Sequence, residues 1–105
     1  MIQRIYNNSS YYTKLKLPTF FSERYLIRWQ PNHYTNLHCH NGKKCYFYLL
    51  HGSLKEIQFK NSTNDITNIN VLNKFLDKGY IDDNIGKHIV SNLNNKITYT
   101  YHIYK

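Results

Sequence analysis

The stretch His38-Cys39-His40-Asn41-Gly42-Lys43-Lys44-Cys45-Tyr46-Phe47-Tyr48-Leu49-Leu50-His51-Gly52 decides how the rest of the chain is read. Asn41-Gly42 is a strong turn dipeptide, so the runs before and after it read as strands. Successive side chains of a strand point to opposite faces, which puts His38 and His40 on one face and Cys39 on the other. Two imidazoles side by side can converge on a metal if another strand brings a third ligand. Taken alone, His-x-His reads first as two histidines on a polar surface, and the chain on either side is what turns it toward a metal. Residues 45–50 are apolar on both alternating faces, the pattern of a strand buried on both sides. His51-Gly52 then makes a tight turn.

Working outward, residues 25–29 are a short run of strand formers, followed by a turn at residues 30–33 and a strand over residues 34–40. Residues 53–59 alternate imperfectly, and residues 61–70 form a polar loop. Residues 71–76 fit either one helical turn or a short strand. His88 lies on its own short segment two residues after Gly86. Residues 93–96 are a hairpin turn leading to a final strand over residues 97–104, while residues 1–18 are polar and aromatic without a period. There is no internal repeat and no helical pattern of normal length. Many short strands separated by turns predict an all-β barrel or sandwich.

At 105 residues the chain is one domain, residues 1–105, large enough for a single core. With 11 Tyr, 5 Phe and 1 Trp, core and site can be built from aromatics whose polar tips need partners. No run approaches the ~20 apolar residues of a membrane span. The first eight residues lack the apolar segment of a secretory signal. Two cysteines make no disulfide framework, and a reducing cytoplasm is the expected compartment. The net charge of +8 raises nucleic acid as a partner. The basic residues are scattered, however, with no run longer than Lys43-Lys44. Tyr11-Tyr12 beside Lys14 and Lys16 could stack bases and hold phosphates, which keeps a nucleic-acid-binding protein as a minor alternative.

The final strand carries the second set of chemical residues. By parity Thr98, Thr100, His102 and Tyr104 share one face, and Ile97, Tyr99, Tyr101 and Ile103 the other. A polar face is out of place in a small core unless it lines a site. His38, His40 and His88 as ligands, with His102 and Tyr104 near, would make a metal pocket inside a barrel. Three neutral imidazoles leave a divalent ion its full charge and open positions. A nitrogen-only set also suits zinc, so ligand type leaves the metal open. Each ligating imidazole needs an acceptor on its other nitrogen, which the sequence does not name.

The order of these residues resembles the cysteine dioxygenase family, which has a cupin barrel. Trp29, His38-Cys39-His40, Cys45, Gly52 and Leu54-Lys55-Glu56 look like its first metal motif. Residues 80–92, from Tyr80 through Gly86 and His88, look like the second, and Thr100-Tyr101-His102-Ile103-Tyr104 is similar to its Ser/Thr-His-Tyr strand. Tyr12-Thr13-Lys14 stands where the family has Tyr-x-Arg.

The resemblance implies an all-β, cupin-type jelly roll in a minimal version without the family's N-terminal helices. It implies iron(II), Fe(II), held by His38, His40 and His88, and dioxygen added to the sulfur of cysteine or a related small thiol to give a sulfinic acid. Tyr104 would orient substrate and oxygen, with His102 and Thr100 relaying to it, and Lys14 and Tyr12 would bind substrate. Some family members crosslink the cysteine and tyrosine that match Cys45 and Tyr104. Lys14 departs from the family's arginine: it keeps a charge for a carboxylate but loses the planar fork. With the shorter chain, this leaves a non-catalytic metal- or ligand-binding cupin module as the alternative. The apolar faces of Tyr46, Tyr48 and Leu50 and of Tyr99, Tyr101 and Ile103 would lack a cover, which a second copy of the chain could supply.

Overall fold

The computed structural model describes residues 12–19, 22–34 and 42–105. Along these residues the chain forms β1 (Tyr12–Leu17), β2 (Glu23–Trp29), β3 (His33–Tyr34), β4 (Cys45–His51), β5 (Leu54–Phe59), β6 (Ile66–Leu72), β7 (Lys78–Ile81), β8 (Lys87–Asn92) and β9 (Thr98–Tyr104). They pair antiparallel in two sheets, one ordered β1-β2-β9-β4-β7 and the other β3-β8-β5-β6. The expected all-β jelly roll is the fold observed. No helix among the described residues is long and apolar enough to cross a membrane.

The core is the space between the sheets. Tyr25, Ile27 and Trp29 of β2, Cys45, Phe47 and Leu49 of β4 and Ile81 of β7 face it from the first sheet; Leu54, Leu72 and Val90 face it from the second. Period-two alternation is strict on β4: Cys45, Phe47 and Leu49 are buried, while Tyr46, Tyr48 and Leu50 are only half-buried. The doubly buried strand expected over residues 45–50 is therefore corrected to a strand with one interior face. Its outer aromatics pack sideways instead, Tyr46 against Tyr80 at 4.8 Å between ring centroids.

Two further expectations change. Much of the polar loop expected at residues 61–70 is strand, since β6 begins at Ile66 and pairs with β5 throughout. Its asparagines and exposed positions suit an edge strand, whose pattern carries little of the alternation that marks a half-buried one. The aperiodic N-terminal stretch contains β1, also an edge strand, and half-buried along its whole length.

One glycine sets the spacing of the core. Gly79 lies directly opposite Phe47, and a Cβ there would stand 2.1 Å from the phenyl ring. The ring occupies the volume that a side chain on β7 would need.

β9 is the middle strand of its sheet, between β2 and β4. Its interior face is the polar one: Thr98, Thr100 and His102 are buried while Tyr99 is exposed. β5 behaves alike in the other sheet, where Glu56 and Gln58 point inward with Leu54. Buried polar groups cost stability unless each is hydrogen-bonded. The two sheets thus turn two polar rows toward one another, and the partners of those rows define the site.

Candidate active site

The first polar row is built by strand register. Tyr25 lies across from His102 and Ile27 across from Thr100 on the β2 side, and Cys45 lies across from Tyr104 and Phe47 across from His102 on the β4 side. Trp29 Nε1–H donates to Thr100 Oγ1 at 2.8 Å, and Thr100 Oγ1 bonds His102 Nε2 at 2.7 Å. An indole N–H can only donate, so the threonine hydroxyl accepts there, and a second lone pair or its own proton meets His102 Nε2 according to the ring's tautomer. The other ring nitrogen of His102, Nδ1, faces Cys45 Sγ at 3.8 Å. Phe47 stacks on the His102 ring at 5.2 Å and 15°, holding the imidazole flat against β4.

At the end of this row Tyr104 and Cys45 hydrogen-bond side chain to side chain. Burial pushes the Cys45 thiol up to about 12, the phenol opposing this only in part. Burial likewise pushes the Tyr104 phenol up, with the neighbouring Cys45 adding to the shift. Both groups are therefore protonated hydrogen-bond donors at neutral pH. Lys14 of β1 extends over the same place: its Nζ lies 4.1 Å from the Tyr25 ring centroid and 5.0 Å from that of Tyr104. Burial lowers the Lys14 pKa. Tyr12, two residues earlier on β1, packs on Trp29 at 5.4 Å. An open groove of about 320 Å³ reaches Tyr104 from outside and is bordered by Lys16, Lys43 and Lys105, with Glu23 pairing Lys43. Positive charge thus flanks Tyr104 on its outer side.

The second polar row is on β5 and β8. His88 is buried, and its Nδ1 lies 2.7 Å from Glu56 Oε2, also buried. The other carboxylate oxygen, Oε1, accepts from Gln58 Nε2 at 3.1 Å and from Asn70 Nδ2 at 2.8 Å. Gln58 Nε2 also donates to the Tyr80 carbonyl at 3.0 Å. Gly86 lets the chain enter β8 at this point: it has φ 136°, and a Cβ would stand 1.9 Å from the Phe59 carbonyl oxygen. Phe47 lies between the two rows, 6.3 Å from the His88 ring and 5.2 Å from that of His102.

Of the residues singled out from the sequence, the fold gathers Lys14, Cys45, Thr100, His102 and Tyr104 along β1, β9 and β4, and places His88 on the facing sheet. His38 and His40 lie outside the described residues. Among the described residues no three His, Cys, Asp or Glu side chains cluster closely enough to hold a metal. Sequence reasoning named Glu56 within the first metal motif but gave it no role, and it did not single out Gln58 or Asn70. For the first two the signal was present, since both share the strand parity of the buried Leu54. Asn70 was hidden in what read as a loop.

The two-sheet antiparallel jelly roll, with His88 buried in one sheet and His102 in the other, has the cupin fold. The chain belongs to the cysteine dioxygenase type I family, whose sequence model matches residues 6–105. No curated protein matches the chain in sequence. Among solved structures, the CENP-C cupin domain of Drosophila melanogaster is similar with a TM-score of 0.79 and 14% identity, over 96% of this chain and 74% of that one. The TT1209 protein of Thermus thermophilus gives 0.72 and 14%, over 92% and 85%. A variant of the oxalate decarboxylase OxdC of Bacillus subtilis gives 0.73 and 16%, over 97% of this chain but 28% of its own length. At these identities the likenesses establish the fold.

Proposed function

We propose that the protein is a thiol dioxygenase that adds dioxygen to the sulfur of cysteine or a related small thiol. The observation that carries this reading is the Trp29–Thr100–His102 chain of bonds beside the Cys45–Tyr104 pair, with the Lys14 ammonium over the Tyr104 ring, in a chain of this family. His88, with His38 and His40, would hold the metal, which we assign as iron(II). His88, the proposed ligand among the described residues, fits that role: its ring is held at Nδ1 by a carboxylate, the support that a metal-ligating imidazole characteristically has. When bound, the iron supplies the redox centre and the open coordination positions that three neutral nitrogens leave.

The remaining work falls to the chain. Lys14 pairs with the carboxylate of the substrate, as a point charge rather than a fork. Tyr104, protonated at neutral pH, donates its hydroxyl hydrogen to the reacting atoms, and the Thr100–His102 pair fixes its neighbourhood. The lysines around the outer groove draw an anionic substrate toward Tyr104. In the net reaction, both atoms of dioxygen end on sulfur, giving RSO2H from RSH. Sulfur loses four electrons and dioxygen gains them, so no external reductant is consumed.

The test is oxygen uptake by iron(II)-loaded protein with cysteine, 3-mercaptopropionate or cysteamine. Consumption of dioxygen with formation of the matching sulfinate is expected, and no uptake with any of the three overturns the proposal. Lys14 in place of the family's arginine favours a second reading, a cupin module that binds metal or ligand without oxygenating it. Tight metal binding with no uptake would select it.

A further inference from the structure

The dioxygenase reading uses the carboxylate behind His88 but not the groups that hold that carboxylate in place. Glu56 is 1% exposed, and it bonds to interior groups: the His88 ring, the Gln58 amide and the Asn70 amide. The four residues lie on three strands, β5, β6 and β8, which meet side by side through the pairs Glu56–Asn70, Glu56–Val90 and Gln58–His88. A buried carboxylate is costly in a small core unless its oxygens are satisfied. Here Oε1 takes two amide hydrogens and Oε2 takes the ring.

We propose that Glu56, locked by Gln58 and Asn70, is a positioning residue that fixes the tautomer and the orientation of His88. A carboxylate oxygen can only accept, so the His88 proton resides on Nδ1, and Nε2 becomes the nitrogen that coordinates. The inference rests on the metal-site reading above and adds a residue to it.

The amides make the arrangement one-directional. Gln58 cannot turn its amide around, because Nε2 also donates to the Tyr80 carbonyl and a flip would set oxygen against oxygen. In Glu56→Gln the new side-chain oxygen therefore stays on the Gln58 and Asn70 side, where two N–H groups point at it. Its NH2 then faces His88 Nδ1. That nitrogen must accept, and the ring proton moves to Nε2, the nitrogen needed by the metal.

Two readouts test this. Nitrogen-15 spectra of the metal-free protein report the His88 tautomer directly, with the resonance assigned by its loss in His88→Ala. The wild type should show Nδ1–H and Glu56→Gln should show Nε2–H. Cobalt(II) titration should then show affinity reduced roughly 10–100-fold in Glu56→Gln. A wild type with the proton on Nε2 overturns the proposal without recourse to any variant, so poor folding of Glu56→Gln leaves the test intact. Equal cobalt affinity in the two proteins overturns the positioning role while leaving the metal site standing. A wild type that binds no cobalt removes the metal site itself, and the positioning role with it.

Discussion

Replacing Thr100 by valine tests the interior bond chain at its central atom. The two side chains are nearly the same shape, so the substitution opens no cavity on the 0% exposed site. What it removes is one oxygen that serves both Trp29 Nε1 at 2.8 Å and His102 Nε2 at 2.7 Å. Leaving a buried polar group without its bond costs about 1–3 kcal/mol, so two such losses cost about 2–6 kcal/mol. That is a large share of the roughly 5–15 kcal/mol that holds a small domain together. Thr100→Ser is the control: it keeps the hydroxyl and loses one methyl, for about 1 kcal/mol. Urea unfolding followed by the fluorescence of Trp29, the one tryptophan of the chain, measures both. The same residue reports locally, because its indole N–H is the donor in question. The expected order of stability is wild type, then Thr100→Ser, then Thr100→Val well below, at similar m-values. If Thr100→Val matched or exceeded Thr100→Ser, the shared hydroxyl would not be what satisfies this row, and the relay assigned to it would have no basis.

The other predictions concern packing, protonation and substrate. Gly79→Ala should destabilise by about 1–3 kcal/mol, because its Cβ would stand 2.1 Å from the Phe47 ring; an unchanged thermal midpoint would show that the ring is not wedged there. The Cys45 thiol, raised by burial from 9.0 to about 12, should make stability fall with rising pH. Below pH 9 both states are protonated and nothing is lost; above it only the unfolded thiol ionises, so up to about 4 kcal/mol disappears as pH climbs through 12. Urea midpoints between about pH 8 and 10 that fall for the wild type and flatten in Cys45→Ser would bear this out, and parallel curves would refute it. Lys14→Met should raise KM for cysteine and 3-mercaptopropionate by about tenfold or more while leaving cysteamine, which has no carboxylate, nearly unchanged. Equal losses on all three thiols would take the carboxylate away from Lys14.

The legible parts of the fold were those where alternation and turn chemistry agree. β2, β4 and β9 follow from runs of strand formers, and the parity of Thr98, Thr100 and His102 marked the face that proves to be interior. β6 and β1 were not legible because edge strands bury little, and their residues report solvent rather than core. Glu56 was named in the first metal motif, but its inward orientation was not legible, for a different reason. Its strand has two faces, and the more polar residues of a strand ordinarily point out. In the structure Glu56 and Gln58 point in, while Lys55 and Ile57 lie half-buried on the other side. Only a buried partner makes that orientation stable, and the partner, His88 on the neighbouring strand β8, is 32 residues away along the chain.

The division of labour between the sheets follows from the same constraint. Under the proposed function, a metal-binding imidazole and a substrate-orienting phenol would need opposite supports, the first an acceptor behind the ring and the second a hydroxyl that stays protonated. The four-stranded sheet supplies the acceptor through Glu56, fixed by amides from β5 and β6. The five-stranded sheet supplies the protonated phenol, by burying Tyr104 against Cys45 and bringing one cation, Lys14, over its ring. Phe47 stands between them and contacts both histidines, so its ring separates the carboxylate side from the phenol side with apolar volume. Gly79 is what makes room for the ring, so one residue without a side chain underlies the separation of the two chemistries.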